Sequence, residues 1–254
     1  MKKILFLVIT MLSFNIYALN SFLVAPTSAE IKLNRPTTLS FVVTNNGDSR
    51  IRISVSPIFF AVGSKFMPPL KRIGGEGDDY DDIAKYMMVS PKVVSLNPGE
   101  QRTVRASVRP PSSLKEGEYR AHVLFAMLDV AGSVASKKKG DGLSMKLDFK
   151  SETAVVVYGT VGTGSAKLET ICSVVKNKTR VAIKNSGLWR FDGWLTIYGD
   201  KDKKLVEEKV FMTRQTSKDL LLNWAPSADQ KSIKINWVPL DEKQKRMTTT
   251  CSLT

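Results

Sequence analysis

The chain of 254 residues holds a single histidine, His122, and only two cysteines, Cys172 and Cys251. That scarcity excludes several kinds of chemistry. One imidazole and two thiols are too few for the four-ligand set of a structural zinc site. No phosphate-cradling glycine loop, dinucleotide glycine run or nucleophile elbow occurs. His122 lies inside the apolar stretch 119–128, where a structural side chain on a sheet face is the plain reading. A catalytic function is therefore not expected, and neither is a cofactor or a metal. After the first residues, no apolar run approaches the ~20 residues that a membrane-spanning helix needs, so membrane insertion is not expected either.

The first residues read as a targeting segment. Lys2 and Lys3 precede an apolar core at 4–14, and Ile16-Tyr17-Ala18 supplies a cleavage site after Ala18. Residues 1–18 are thus a signal peptide, and the mature chain is exported. The formal charge is +14. A basic surface of this kind suits nucleic acid, anionic lipid or acidic protein. The lysines and arginines are scattered along predicted strands, however, and the densest run, Lys137 to Lys139, falls in a predicted loop. No recognition helix or aromatic–basic motif accompanies them, so nucleic acid is not an expected partner.

What is present is β-pattern. Residues 38–44 (TLSFVVT) are β-branched and aromatic and end at the turn signal Asn45-Asn46-Gly47-Asp48. Residues 50–56 alternate, with Ile51, Ile53 and Val55 set against Arg50, Arg52 and Ser54. Residues 101–108 alternate likewise on Val104, Ala106 and Val108. Residues 119–130 form a long apolar run, as in a strand buried in a sandwich. Strands at this spacing, with Gly, Pro and Asn turns between them, predict an all-β chain of Ig-like sandwiches. A linker at Gly159-Thr160-Val161-Gly162-Thr163-Gly164 divides an N-terminal domain, 19–160, from a C-terminal domain, 161–254.

In an exported protein an even pair of cysteines reads as a disulfide. Cys172 falls in the first predicted strand of the second domain and Cys251 in the last, so the bridge would tie the terminal strands together. One long insertion, 61–85, carries Pro68-Pro69, Gly74-Gly75 and the acidic run Asp78-Asp79-Tyr80-Asp81-Asp82. It lacks the spacing and closing glutamate of a calcium loop and reads as solvated.

A second alternating run follows the lysines. Leu143, Met145, Leu147 and Phe149 share one face of a strand, and Ser144, Lys146 and Asp148 share the other. Beside a loose glycine-containing loop, such a strand reads as a half-unpaired sheet edge, which is an aggregation hazard unless it has a use. The plain alternative is that the four are inward core residues of the first domain.

The order Val89-Ser90-Pro91, Leu96-Asn97-Pro98-Gly99-Glu100, Arg102-Thr103-Val104-Arg105 resembles the periplasmic pilus-assembly chaperones of the chaperone–usher pathway. Phe22-Leu23-Val24-Ala25-Pro26 and Glu118-Tyr119-Arg120 agree with it. The resemblance covers about residues 21–160 and is nearest to the divergent branches. It implies two Ig-like β-sandwich domains arranged as a boomerang, a periplasmic location, fimbrial subunits and an outer-membrane usher as partners, and a strand lent to each subunit. That donor strand is Leu143, Met145, Leu147 and Phe149. Family members anchor the subunit's terminal carboxylate on a cleft arginine and a donor-strand lysine. Here Pro26-Thr27 is followed by Ser28, and the lysine position falls in the uncharged stretch 153–155. The nearest basic candidates are Lys150, Lys146 and Arg35. The competing function is a secreted Ig-like structural or adhesive surface protein, such as a pilus subunit.

Overall fold

The structure is a computed structural model that describes residues 21–75, 77, 79–128, 150–227, 229–242 and 244–253. In chain order, the strands of the first half are β1 (Phe22–Ala25), β2 (Ser28–Lys32), β3 (Thr37–Asn45), β4 (Ile51–Ile58), β5 (Lys71–Arg72), β6 (Met87–Ser90), β7 (Val93–Leu96), β8 (Gln101–Val108), β9 (Gly117–Leu128) and β10 (Glu152–Val161). Those of the second half are β11 (Leu168–Val175), β12 (Lys178–Asn185), β13 (Phe191–Tyr198), β14 (Lys204–Met212), β15 (Thr216–Leu222), β16 (Ser232–Pro239) and β17 (Met247–Ser252). Among the described residues no helix is long and apolar enough to cross a membrane.

Two Ig-like sandwiches result. The first packs a sheet of order β1-β3-β8-β6 against one of order β2-β10-β9-β4-β7, in which β2 runs parallel to β10. The alternation read from the sequence decides the faces. Ile51, Ile53 and Val55 of β4 and Val104, Ala106 and Val108 of β8 are buried. Phe41 and Phe125 meet edge to face at 6.0 Å across the two sheets, the geometry that aromatic quadrupoles favour. The second sandwich packs β11-β12-β15-β5 against β14-β13-β16-β17. Its core holds Phe191 against Trp237 at 5.3 Å.

Both halves close one turn with the same device. Asn45, fully buried at the end of β3, donates from Nδ2 to the carbonyls of Ser49 and Leu96 and accepts the Gly47 amide on Oδ1. Asn185, at the end of β12, donates to Trp189 and Thr213 and accepts the amides of Gly187 and Lys167. Each buried amide thereby pins strand ends that would otherwise leave backbone groups unpaired.

Cys172 of β11 and Cys251 of β17 are bonded, with Cα atoms 5.9 Å apart. The strands belong to opposite sheets, so the bridge clasps the second sandwich across its layers, as the sequence predicted. The insertion is different from its sequence reading. It is not a solvated loop. Val62 and Leu70 are buried in the second sandwich's core, and β5 adds an edge to β15 with Thr216 opposite Arg72. Asp81 is 1% exposed. A proline-glycine segment signals a break in local pattern, but it carries no mark of which distant sheet it will join.

Removing the bridge releases a loop of sequence separation 79 in the unfolded chain. Cys172→Ser/Cys251→Ser should therefore lower stability by about 4 kcal/mol. Denaturant melts followed on the tryptophans of the second sandwich, with Trp237 in its core, check this; an unchanged midpoint would contradict it.

Candidate functional site

The strand β9 explains the site. Its odd positions, Tyr119, Ala121, Val123 and Phe125, enter the first core. Its even positions, Glu118, Arg120 and His122, are also buried, because the insertion and the second sandwich cover that outer face. A strand covered on both sides buries whatever its second face carries, and here it carries charge.

Arg120 is the centre of this face. Its Nε donates to Asp81 Oδ2 at 2.8 Å, its Nη1 reaches Met67 Sδ at 3.1 Å, and its guanidinium lies 4.5 Å from the Phe59 ring centre. Asp81 also accepts Arg72 Nη2 on Oδ1 at 2.6 Å, and Arg72 Nη1 reaches the Arg214 carbonyl at 2.9 Å. Arg214, 1% exposed, is stacked 4.4 Å from Tyr80 and 4.8 Å from Tyr119, and its Nη1 donates to the Glu118 carbonyl. Gly117 makes room for it: a Cβ there would meet Arg214 Nη1 at 2.9 Å. Three buried guanidiniums thus gather around one buried carboxylate. Both Asp81 oxygens are engaged by guanidinium, so Asp81 is no cation ligand.

Beside this cluster lies a cavity of about 420 Å³. Phe60 with Phe66 and Met67 of the insertion forms one wall, Leu124 of β9 with Ala154, Val156 and Tyr158 of β10 another, and Phe211 of β14 a third; Arg120, His122 and Glu152 supply the polar groups. Phe60 packs on Phe66 at 4.7 Å and on His122 at 4.6 Å. Among the described residues, Arg120 Nη2 and His122 Nδ1 are buried without a hydrogen-bond partner. Burial, reinforced by the Arg120 charge and opposed by Asp81, pushes the His122 pKa down to about 4. The imidazole is therefore neutral near pH 7, and the positive charge at the cavity wall belongs to Arg120. An apolar cavity with an unspent guanidinium donor suits an anionic group borne on an apolar chain.

The sequence-predicted residues fall as follows. Leu143, Met145, Leu147, Phe149 and Lys146 lie outside the described residues, as does Asp78. Lys150 is exposed just ahead of β10, and Arg35 is exposed in the turn between β2 and β3. Neither lines the cavity. Arg120 was legible only as part of an apolar strand. Its signal was a polar residue at every second position, Glu118, Arg120 and His122, within a run that is otherwise core.

No family model matches the chain, and no curated protein matches it. Solved structures do. The chain is similar to the class 5 fimbriae chaperone CfaA, at 14% identity over 91% of this chain and 99% of that one, with a TM-score of 0.52. It is similar to a structure of the Salmonella enterica SafA pilin in complex with the SafB chaperone, at 13% identity, 93% and 98% coverage and TM-score 0.55. It is also similar to the CsuC–CsuE chaperone–tip adhesion subunit pre-assembly complex of the archaic Csu pili of Acinetobacter baumannii, at 12% identity, 92% and 99% coverage and TM-score 0.56. At these identities the likeness establishes the fold, which is the two-sandwich fold of fimbrial chaperones.

Asp81→Ala leaves two buried guanidiniums without their carboxylate, and should cost about 3–5 kcal/mol. Asp79→Ala, at an exposed neighbour, should change stability by less than about 0.5 kcal/mol. Urea unfolding of the two variants side by side measures the difference, and equal midpoints would show that the Asp81 cluster does not hold the insertion.

Proposed function

We propose that this chain, which carries the fold of the fimbrial chaperones over more than 90% of its length, is a periplasmic chaperone for fimbrial subunits. It works by lending a strand to a subunit that lacks one and hands the subunit to an outer-membrane usher. The observation that carries this reading is the sequence run Leu143, Met145, Leu147, Phe149, which precedes β10 in the chain. Its apolar positions have the same odd parity as Val155 and Val157 of β10, which are buried. A strand continued in phase would present the four on one face, as strand addition requires: main-chain bonds supply affinity and alternate side chains fill the partner's groove. Burying four such side chains contributes roughly 6–12 kcal/mol gross at about 1.5–3 each, before the costs of ordering.

The chain offers no catalytic constellation in its motifs, and this role needs none. Its work is stoichiometric: capture, protection of the subunit's groove, and release when another subunit's extension replaces the lent strand.

The cavity completes the reading. An incomplete subunit ends in a carboxylate carried on apolar chain, and Arg120 Nη2 is the buried donor that suits it. Arg120, with neutral His122 beside it, takes the anchoring role in place of Arg35, Lys146 and Lys150.

Met145→Asp and Leu147→Asp should each abolish co-purification of the subunits encoded beside this chain, with the far-ultraviolet spectrum unchanged. Retained one-to-one complex would sink the donor-strand reading. Arg35→Ala and Lys150→Ala should bind subunit like the unaltered protein, whereas Arg120→Gln should weaken it at least tenfold. If the folded Arg120→Gln protein binds undiminished, the anchor lies elsewhere.

A further inference from the structure

Beside the cleft, a different charge imbalance joins the two sandwiches. Arg190, just ahead of β13, directs Nη1 to the Glu118 carboxylate of β9 and Nη2 to the Glu30 carboxylate of β2. Its guanidinium stacks 3.8 Å from the centre of the Tyr158 ring of β10. Both acids belong to the first sandwich and the cation to the second. Their surroundings differ: the Glu118 side chain is 9% exposed and that of Glu30 72%. Two carboxylates thus share one guanidinium, and one negative charge is in excess. The carboxylate with less water around it is the one that a proton neutralises most readily.

Among the described residues, the other elements packed here do not supply a second cation to the Glu118 carboxylate. Arg214 uses Nη1 on the Glu118 carbonyl, not the carboxylate, and the Glu118 amide donates to the Leu188 carbonyl at 2.8 Å. Arg120 engages Asp81, and Asp192 adds a further negative charge near Tyr158.

We propose that the two sandwiches close on each other with uptake of a proton by Glu118, so that this contact is a pH-sensitive clasp on the width of the adjoining cleft. Tyr158 is the link: it lies under Arg190, lines the cavity and faces Phe211 of the second sandwich at 6.3 Å. Burial raises the Glu118 pKa from 4.5 to about 7, against the opposing pull of Arg190 and with a smaller push from Glu30. The closed contact therefore binds more protons than the parted one between those values. Closure strengthens as pH falls from about 7 to 4.5 and gains nothing further below that. The clasp does not depend on what the cleft holds.

The test is an energy-transfer measurement on the mature chain, with dyes on Lys92→Cys and Lys203→Cys, one exposed site on each sandwich. In the unaltered background the closed population should grow as pH falls through 7, with an equilibrium that rises by up to about tenfold per pH unit. Glu118→Gln, which mimics the protonated acid, should stay closed across pH 5 to 8. Glu30→Gln restores one acid to one cation and should move the midpoint to lower pH. His122 is present in all three proteins, so its own titration cancels in the comparison. No pH response in the unaltered protein, or the same response in Glu118→Gln, would overturn the proposal; should Glu118→Gln fail to fold, an unmoved midpoint in Glu30→Gln would do so.

Discussion

A carboxylate removed from water destabilises the fold that buries it unless it is paired or protonated. Asp81 meets that demand with Arg72 on one oxygen and Arg120 on the other. Much of the remaining architecture depends on this pairing. Arg72 lies on the short strand that edges the second sandwich, and Arg120 on the long strand central to the first. The insertion that carries Asp81 is thereby drawn across the outer face of β9. Once it lies there, Phe60, Phe66 and Met67 stand over that face and the neighbouring β10, and together with Phe211 they line the cavity.

The sandwiches themselves were largely legible. Period-two alternation, broken by asparagine, proline and glycine turns, is a local property, and each strand shows it within a few residues of itself. Ile51, Ile53 and Val55 need no distant partner to declare a buried face. The pairing of Cys172 with Cys251 was legible for a different reason, since a chain with two cysteines offers each one possible internal partner. What escaped was everything set by long-range contact. Nothing near Lys71 and Arg72 says that they edge a sheet whose other strands begin about a hundred residues later. The acidic run looked solvated because its composition is polar, yet Asp79 is exposed and Asp81 is buried two positions on. The difference is made by arginines far along the chain.

The same distinction governs the site. The apolar face of Leu143 to Phe149 is visible in sequence because it is a local pattern. The anchor is not. A search near the ends of β2 and β10 finds Arg35 and Lys150, which are exposed. Arg120 is visible in the sequence only as part of Glu118-Tyr119-Arg120 at the start of a hydrophobic strand, with nothing local to mark it as an anion donor. Read with Glu118 and His122, it forms a polar stripe at every second position. In a strand whose other face is core, such a stripe requires a covering layer, and that layer is the insertion and the second sandwich.

That stripe holds two opposite imbalances a short distance apart. At Arg120, among the described residues, guanidiniums outnumber the buried carboxylate they gather around, and Arg120 Nη2 has no hydrogen-bond partner. At Glu118 the charge is in negative excess, with two carboxylates on one guanidinium. Among the described residues, nothing relieves the surplus at Arg120 Nη2 or on Glu118. An anion relieves the first and a proton the second, and the two are reached from the same side of β9. Because Tyr158 touches both regions, the position of the second sandwich and the shape of the cavity are not independent. The proposed proton uptake at one end of the stripe and the proposed anion capture at the other would therefore act on one shared interface.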